Sequence, residues 1–252
     1  PMSGHSKWST IKRKKGATDA KRGAVFTRLS REITLAAREG GGDSDSNFAL
    51  RLAIEKARAE NMPKDNIDRS IKRGTGDDKD GVVFEEVTYE GYAPKGVAVL
   101  LECMTENKNR TVAEIRHGLT KHGGSLGENG SVAWQFERIA FFAFSEAKMD
   151  FDSAFELAIE AGADDVIQEG GVIEIIGPVS SYKQLGDALR AANVSPEDAG
   201  LRMEAKQEME LNVADTLQVL RVIERLEELD DVQNIYHNMN ISDEALAALE
   251  AE

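Results

Sequence analysis

Residues 139–176, IAFFAFSEAKMDFDSAFELAIEAGADDVIQEGGVIEII, contain the pattern that decides the fold. Apolar and β-branched runs predict strands, and the stretches between them space apolar side chains as a helix does. With the residues that follow directly, the predicted elements are a strand, a helix, two strands, a helix and a strand, at 139–144, 151–161, 165–168, 172–176, 182–192 and 201–206. The order βαββαβ is that of a ferredoxin-like domain, which we predict for residues 139–207.

The residues before this domain predict the start of another sheet. Two β-rich runs within 82–104 are joined by a turn at residues 93–96, Ala-Pro-Lys-Gly, which is typical of a hairpin. A capping-box pattern from Thr111 to Glu114 then predicts the start of a helix. Residues 132–136 are predicted to return as a strand.

The residues after the ferredoxin-like domain lack local partners. A long amphipathic helix carries Leu217, Leu220 and Ile223 on one face, and residues 232–237 predict one more strand. We expect this helix and strand to complete the sheet that begins at residue 82. The middle domain would then consist of 82–138 plus 208–240, with the third domain inserted into it.

The first 75 residues predict helices only. The helix at 18–38 has one apolar and one cationic face, two shorter amphipathic helices follow, and residues 74–81 have the composition of a linker. We therefore predict a basic helical domain at 1–75. The fold class is α+β, with an N-terminal helical domain followed by two ferredoxin-like-type α/β domains.

Charge is distributed unevenly along the chain. Residues 1–38 carry ten Lys and Arg against two acidic residues, whereas residues 76–252 carry 14 against 36. The net charge is therefore +8 at the N-terminal end and −22 over residues 76–252. Such a split is typical of a protein that meets a polyanion with one end only.

A basic segment at 4–16, GHSKWSTIKRKKG, has Trp8 in its midst. Its cations repel one another unless phosphates neutralise them. An exposed aromatic among cations suits stacking on an unpaired base, which favours single-stranded or loop RNA over duplex DNA. We predict these nucleic-acid-binding residues: Lys7, Trp8, Lys12, Arg13, Lys14, Lys15, Lys21, Arg22, Arg28, Arg31, Arg110 and Arg116.

Two other interpretations of these cations stay open. The basic segment could be a solvated tail, with Trp8 packed against the helical domain. The second group of cations, around Arg110 and Arg116, could be neutralised by carboxylates nearby. Both interpretations would leave the cations without a nucleic-acid partner.

Sites of other kinds are not predicted. The four His residues show no metal-ligand spacing, and no catalytic or nucleotide-binding fingerprint is present. We therefore expect no metal, no cofactor and no enzymatic activity. Cys103 lies in an apolar run, which favours a core thiol in a reducing compartment. No apolar run is long enough to span a bilayer, so we expect a cytoplasmic protein without membrane contact, and a monomer.

Six short motifs carry a resemblance to a known family. They are GHSKW at 4–8, DAKRG at 19–23, GGGD at 40–43, YEGY at 89–92, NRTVAEIRH at 109–117 and DDVQ at 230–233. With them the sequence resembles the YebC/PmpR family over essentially the whole chain. The resemblance implies three domains and, for bacterial members, a probable transcriptional regulator that binds DNA. It also implies a link to translation, since mitochondrial relatives are translational activators and bacterial members have been connected to ribosomes stalled on proline-rich sequences.

Three functions follow as hypotheses. The first is a DNA-binding regulator, the second a translation factor that binds ribosomal RNA or the ribosome, and the third a ligand-sensing or enzymatic ferredoxin-like protein. The charge split supports the first two equally. The absence of a helix-turn-helix pattern and the acidic body disfavour sequence-specific reading of duplex DNA.

Overall fold

The structure of the protein, a computed structural model, describes residues 1–15, 19–79 and 81–252, without the side chains of 13–15 and 19–21. The chain divides into two compact units. One consists of residues 1–3 and 137–204, and the other of residues 4–136 and 205–252.

Four helices come first in the described ranges, and strands and helices are mixed after them. The helices are α1 Gly4–Lys15, α2 Asp19–Gly40, α3 Phe48–Ala59, α4 Lys64–Thr75, α5 Lys108–Thr120, α6 Phe151–Glu160, α7 Tyr182–Ala191, α8 Val213–Glu227 and α9 Asp243–Glu250. The strands are β1 Glu85–Tyr92, β2 Ala98–Thr105, β3 Ser125–Leu126, β4 Phe136–Ser145, β5 Asp165–Glu169, β6 Val172–Pro178, β7 Asp198–Ala205 and β8 Val232–His237. The predicted α+β fold class is confirmed.

The unit that contains residues 137–204 has the ferredoxin-like order. Its four strands lie in the order β5-β6-β4-β7, and β6 pairs antiparallel with both β4 and β5. Helices α6 and α7 bury Ala154, Ala158, Leu185 and Leu189. The βαββαβ prediction from residues 139–176 and their continuation is confirmed.

The other unit contains the second sheet, in the order β3-β1-β2-β8. The hairpin β1–β2 is closed by the turn at Pro94–Gly96, as predicted. Strand β8 pairs antiparallel with β2, with Val99 opposite His237 and Leu101 opposite Ile235. The last strand of the chain therefore completes the sheet that the hairpin begins, also as predicted.

The four N-terminal helices contribute to two different cores. Buried side chains of α2, α3 and α4, among them Ile33, Leu50 and Ile67, pack against one another. Helix α1 instead inserts Trp8 and Ile11 into the core beneath the second sheet, which also contains side chains of α5, α8 and β8. Trp8 and Ile11 of the basic segment are thus part of a folded core.

The strand predicted at 132–136 is wrong. Residues Ala133–Gln135 form a single 3-10 turn, and β4 begins only at Phe136. The cause is the carboxylate of Glu90, which accepts the backbone N–H groups of Gly130, Val132 and Ala133. Because a carboxylate satisfies these donors, they are not available for a ladder with another strand.

Candidate nucleic-acid interface

Glu227, the last residue of α8, holds helix α1. The indole Nε1 of Trp8 donates to Glu227 Oε1 over 3.0 Å, and the Lys12 ammonium donates to Oε2 of the same carboxylate over 2.7 Å. The prediction that Trp8 is exposed is wrong, because only 5% of the residue is accessible. Its ring fills the core while its N–H finds a buried acceptor, so Trp8 has no free face for a base.

Asp231, just before β8, is a second anchoring carboxylate. Arg31 of α2 donates to Asp231 Oδ1 over 2.9 Å, and Arg110 of α5 donates to both oxygens over 3.0 and 3.1 Å. The Thr111 hydroxyl also donates to Oδ2, over 2.7 Å. Burial acts to raise the pKa of Asp231, but the hydrogen bonds from Thr111, Arg110 and Arg31 outweigh it and hold the pKa below its ordinary value.

The start of α5 explains how Thr111 reaches Asp231. The predicted capping box at Thr111 is wrong, since Asn107 caps the helix and its side chain accepts the N–H of Arg110. The helix therefore begins one turn earlier than predicted. Thr111 lies inside that first turn, and its hydroxyl is used for Asp231 instead of a cap.

The two carboxylates gather cations from three helices into one arrangement. We call Lys12, Arg28, Arg31 and Arg110, together with Glu227 and Asp231, the basic junction. Arg28 contributes a hydrogen bond to the backbone carbonyl of Glu227. Four cations thus meet these two carboxylates and that of Glu106, which lies 3.6 Å from Arg110, and this leaves an excess of one positive charge among these groups.

The cations of the basic junction lie closer to solvent than the carboxylates do. The Lys12 side chain is 36% exposed above a Glu227 side chain that is 10% exposed. The Arg110 side chain is 41% exposed above an Asp231 side chain that is 2% exposed. The two anchoring carboxylates therefore lie beneath the cations, and Arg110 also has the exposed carboxylate of Glu106 at 3.6 Å.

The remaining predicted site residues have other surroundings. Lys7 is buried and its ammonium donates to the carbonyl of Ile241 over 3.1 Å. Arg22 is exposed on α2. The side chains of Arg13, Lys14, Lys15 and Lys21 lie outside the described residues.

The other predicted cation, Arg116, belongs to a second basic group at the far end of α5. We define the α5-end patch as Arg116, His117, Lys121, His122 and Arg225. Arg116 and Lys121 are exposed, and neither forms an ion pair with a carboxylate of the described residues. Partial burial and the nearby charges of Arg225, Lys121 and His117 lower the pKa of His122, so that ring stays neutral and accepts from Arg225 over 2.8 Å.

Carboxylate neutralisation, the alternative interpretation, therefore applies to part of the second group of cations. Lys108 is paired with Glu85 at 2.8 Å and Arg110 with Asp231. Arg116 and Lys121 lack such partners among the described residues. No local pattern indicated that Glu227 anchors α1, whereas Asp231 lies in the DDVQ motif.

Other kinds of site find no support in the described parts of the chain. No cluster of three or more His, Cys, Asp or Glu side chains there could hold a metal ion. None of the helices there has the length and apolarity to cross a membrane. Burial, followed by the charges of Asp231 and Glu102, raises the pKa of the Cys103 thiol to about 12, so Cys103 is a core thiol and not a nucleophile.

Comparison of the chain with known proteins identifies its family. Residues 6–77 match the TACO1/YebC protein N-terminal domain, and residues 84–239 match the TACO1/YebC second and third domain. A probable transcriptional regulatory protein of Syntrophus aciditrophicus is 52% identical over 99% of this chain and 100% of its own length. One of Acidithiobacillus ferrooxidans is 54% identical over 99% of both chains.

A solved structure shows the same fold. The conserved hypothetical protein Aq1575 from Aquifex aeolicus superposes with a TM-score of 0.80 at 40% identity, covering 90% of this chain and 94% of that one. Family models match more than half of the chain, and the relatives are similar over almost its full length. The chain therefore belongs to the TACO1/YebC family, whose bacterial members found here are named probable transcriptional regulatory proteins.

Proposed function

We propose that this protein is a nucleic-acid-binding regulator of gene expression and that the basic junction is where it contacts phosphates. The observation that carries the proposal is the layering of charge, with Lys12 and Arg110 exposed above buried carboxylates. The names of the relatives support the regulatory role. The protein is proposed as a binding protein without catalytic chemistry.

The buried carboxylates would prepare the cations for binding. An ammonium has three N–H donors and a guanidinium has five, so Lys12 and Arg110 keep donors for solvent after bonding to Glu227 and Asp231. Because the two side chains are already fixed, little side-chain entropy is lost when a phosphate arrives. Phosphate contacts of this kind set position and affinity but carry no sequence information.

Duplex DNA is the target that the relatives' names suggest, and RNA or the ribosome is the second candidate. One observation favours RNA. Residues 76–252 carry a net charge of −22, so a long duplex would be repelled everywhere except near the basic helices. A folded RNA can instead present a compact group of phosphates to a small basic surface.

The proposal is tested by removing one junction cation. In the full chain, Arg110→Gln should weaken binding to a structured RNA or a promoter-length duplex and lower the slope of log Kd against log salt. The slope should fall by about 0.9 for one lost duplex phosphate contact, or about 0.7 on a single strand. Asp231 keeps Arg31 and Thr111 in this variant, so the fold is retained.

The matched control is Arg221→Gln. Arg221 is an exposed arginine of α8 that is paired with Glu252 at 2.7 Å, outside the basic junction. Both variants change the net charge equally, so a general electrostatic effect would change Kd equally in both. Equal losses would contradict the junction as the contact, and a wild-type chain that binds neither polymer would contradict the proposed function itself.

A further inference from the structure

Trp134 is a large exposed aromatic side chain. Two thirds of the residue, 67%, is accessible, whereas Trp8 is 5% exposed. Trp134 occupies the 3-10 turn that precedes β4, where the sequence predicted a strand. Trp is enriched at interfaces, because its ring offers a large apolar surface to a partner while its N–H finds a hydrogen-bond acceptor.

The turn that presents Trp134 is held rigidly. The buried carboxylate of Glu90 accepts the N–H groups of Val132 over 3.0 Å and Ala133 over 2.7 Å, in addition to that of Gly130. Burial acts to raise the pKa of Glu90, but these three donors hold the pKa below its ordinary value, so the anchor is a carboxylate at neutral pH. Val132, two residues before the indole, is completely buried.

The indole itself is also fixed from within the turn. Its Nε1 donates to the carbonyl of Ser131 over 3.1 Å. This hydrogen bond satisfies the indole N–H of Trp134. A partner would therefore contact the aromatic faces of the ring and not a free donor. A ring that is already oriented loses little conformational entropy when another ring packs against it.

A cation lies next to the turn. The backbone N–H of Lys206 donates to the carbonyl of Gln135, the residue after Trp134, over 2.9 Å. Lys206 is exposed and forms no ion pair with a carboxylate of the described residues. Proteins bind single-stranded nucleic acid by combining aromatic rings that stack on bases with cations that meet phosphates, and the backbone hydrogen bond puts Lys206 opposite the residue that follows Trp134.

We propose that Trp134 is a stacking platform for an unpaired nucleobase and that Lys206 contacts a neighbouring phosphate. This inference rests on the proposed function and makes its ligand more specific. It transfers to Trp134 the stacking role that the sequence suggested for Trp8. Phe155 of α6 is another exposed aromatic side chain of the described residues and serves as a comparison for Trp134.

The test compares one sequence in two forms. A short single-stranded RNA and the same RNA annealed to its complement are titrated against the full chain, with Trp134→Ala, Trp134→Phe and Phe155→Ala as variants. Trp134→Ala should weaken single-strand binding about 5-fold to 100-fold, as lost base stacking does. Trp134→Phe should recover most of that affinity, Phe155→Ala should have none of the effect, and duplex binding should change little.

Fluorescence quenching reports the contact directly. Iodide should quench Trp134 but not the buried Trp8, and single-stranded RNA should protect Trp134 from iodide. In Trp134→Phe the remaining signal comes from Trp8 and should not respond. Thermal unfolding checks that Trp134→Ala is folded, which its exposure predicts.

The outcomes separate the two proposals. A wild-type chain that binds no RNA and no DNA overturns the proposed function and this inference together. RNA binding that Arg110→Gln weakens and Trp134→Ala does not would keep the junction and overturn the stacking role. Equal losses on single-stranded and duplex RNA in Trp134→Ala would also overturn it, because a paired base offers no free face.

Discussion

Each unit of the molecule contains a buried carboxylate bound to arginine, and the two pairs differ in the position of the cation. In the ferredoxin-like unit, the side chains of Arg202 and Glu174 are both 3% exposed and are joined by bonds of 2.8 and 3.2 Å. Arg202 also packs on the ring of Phe141, 4.4 Å from its centre. At the basic junction Asp231 is equally buried, but its partner Arg110 is 41% exposed.

This difference separates a structural ion pair from one that is suited to binding. A cation enclosed with its carboxylate has no access to a ligand, so it can only affect stability or specify the fold. A cation held above a buried carboxylate keeps a fixed position and remains open to a phosphate. The same chemical pair therefore supports different roles, and exposure of the cation decides between them.

The largest stability effect should come from the enclosed pair. Glu174→Gln removes the charge that Arg202 faces in the sheet, and only Glu204, at 3.0 Å, remains to balance it. Breaking a buried pair by removing one partner costs about 3 kcal/mol of unfolding free energy. Denaturant unfolding of the full chain measures this, and nucleic-acid affinity should not change.

The exposed pair Lys183–Asp187 on α7 is the control for that measurement. Its side chains are 89% and 62% exposed, so Asp187→Asn should change stability by no more than about 0.5 kcal/mol. Similar losses in Asp187→Asn and Glu174→Gln would show that enclosure does not set the cost, and the comparison between the units would lose its basis.

A smaller loss is expected for Asp231→Asn. The substitution removes the carboxylate that Arg31 and Arg110 share, although Arg110 keeps Glu106 at 3.6 Å and can turn toward solvent, so the cost should be about 2 kcal/mol. The folded-state pKa of Asp231 is depressed, so its contribution is fully present above the ordinary Asp pKa of about 3.9 and is lost as pH falls further.

The stability difference between wild type and Asp231→Asn should therefore shrink as pH falls below that value. Unfolding free energies at a series of pH values from 7 to strongly acidic conditions measure it. Asp150 and Glu90, whose pKa values are also lowered, titrate in both proteins and cancel in the difference. A difference that stays constant with pH would mean that Asp231 does not titrate through its bonds to the arginines.

The parts of the fold that sequence could predict are those with local periodicity. The ferredoxin-like order follows from alternating runs in 139–207, and β8 could be assigned to the second sheet because a strand without neighbours must pair elsewhere. The amino-acid composition likewise showed that the cations are concentrated near the N-terminal end of the chain. What local patterns cannot show is which distant residue meets each of them.

Trp8 and Glu227 illustrate that limit. They are 219 positions apart, and nothing near Trp8 indicates an acceptor for its N–H, so an aromatic among cations was predicted to be exposed. Glu90 and the turn at 130–133 are another case, since a carboxylate about 40 positions away replaces the ladder of a predicted strand. The first error reversed the exposure of Trp8 and the second replaced a predicted strand around Trp134 with a turn.

The smallest stability effect, and the sharpest test of the comparison, is expected for Lys12→Gln. Lys12 is 36% exposed, and Glu227 keeps the N–H of Trp8 in its absence, so the cost in unfolding free energy should stay below about 1 kcal/mol. Nucleic-acid affinity should nevertheless fall, and the slope of log Kd against log salt should decrease by the amount expected for about one phosphate contact.

Lys95→Gln is the matched control for Lys12→Gln. Lys95 is 42% exposed and is paired with Asp215 over 3.5 Å, and neither residue belongs to the basic junction. If Lys12→Gln instead lowers stability as much as Glu174→Gln, or lowers affinity no more than Lys95→Gln, then exposure above a buried carboxylate does not mark a binding cation in this protein.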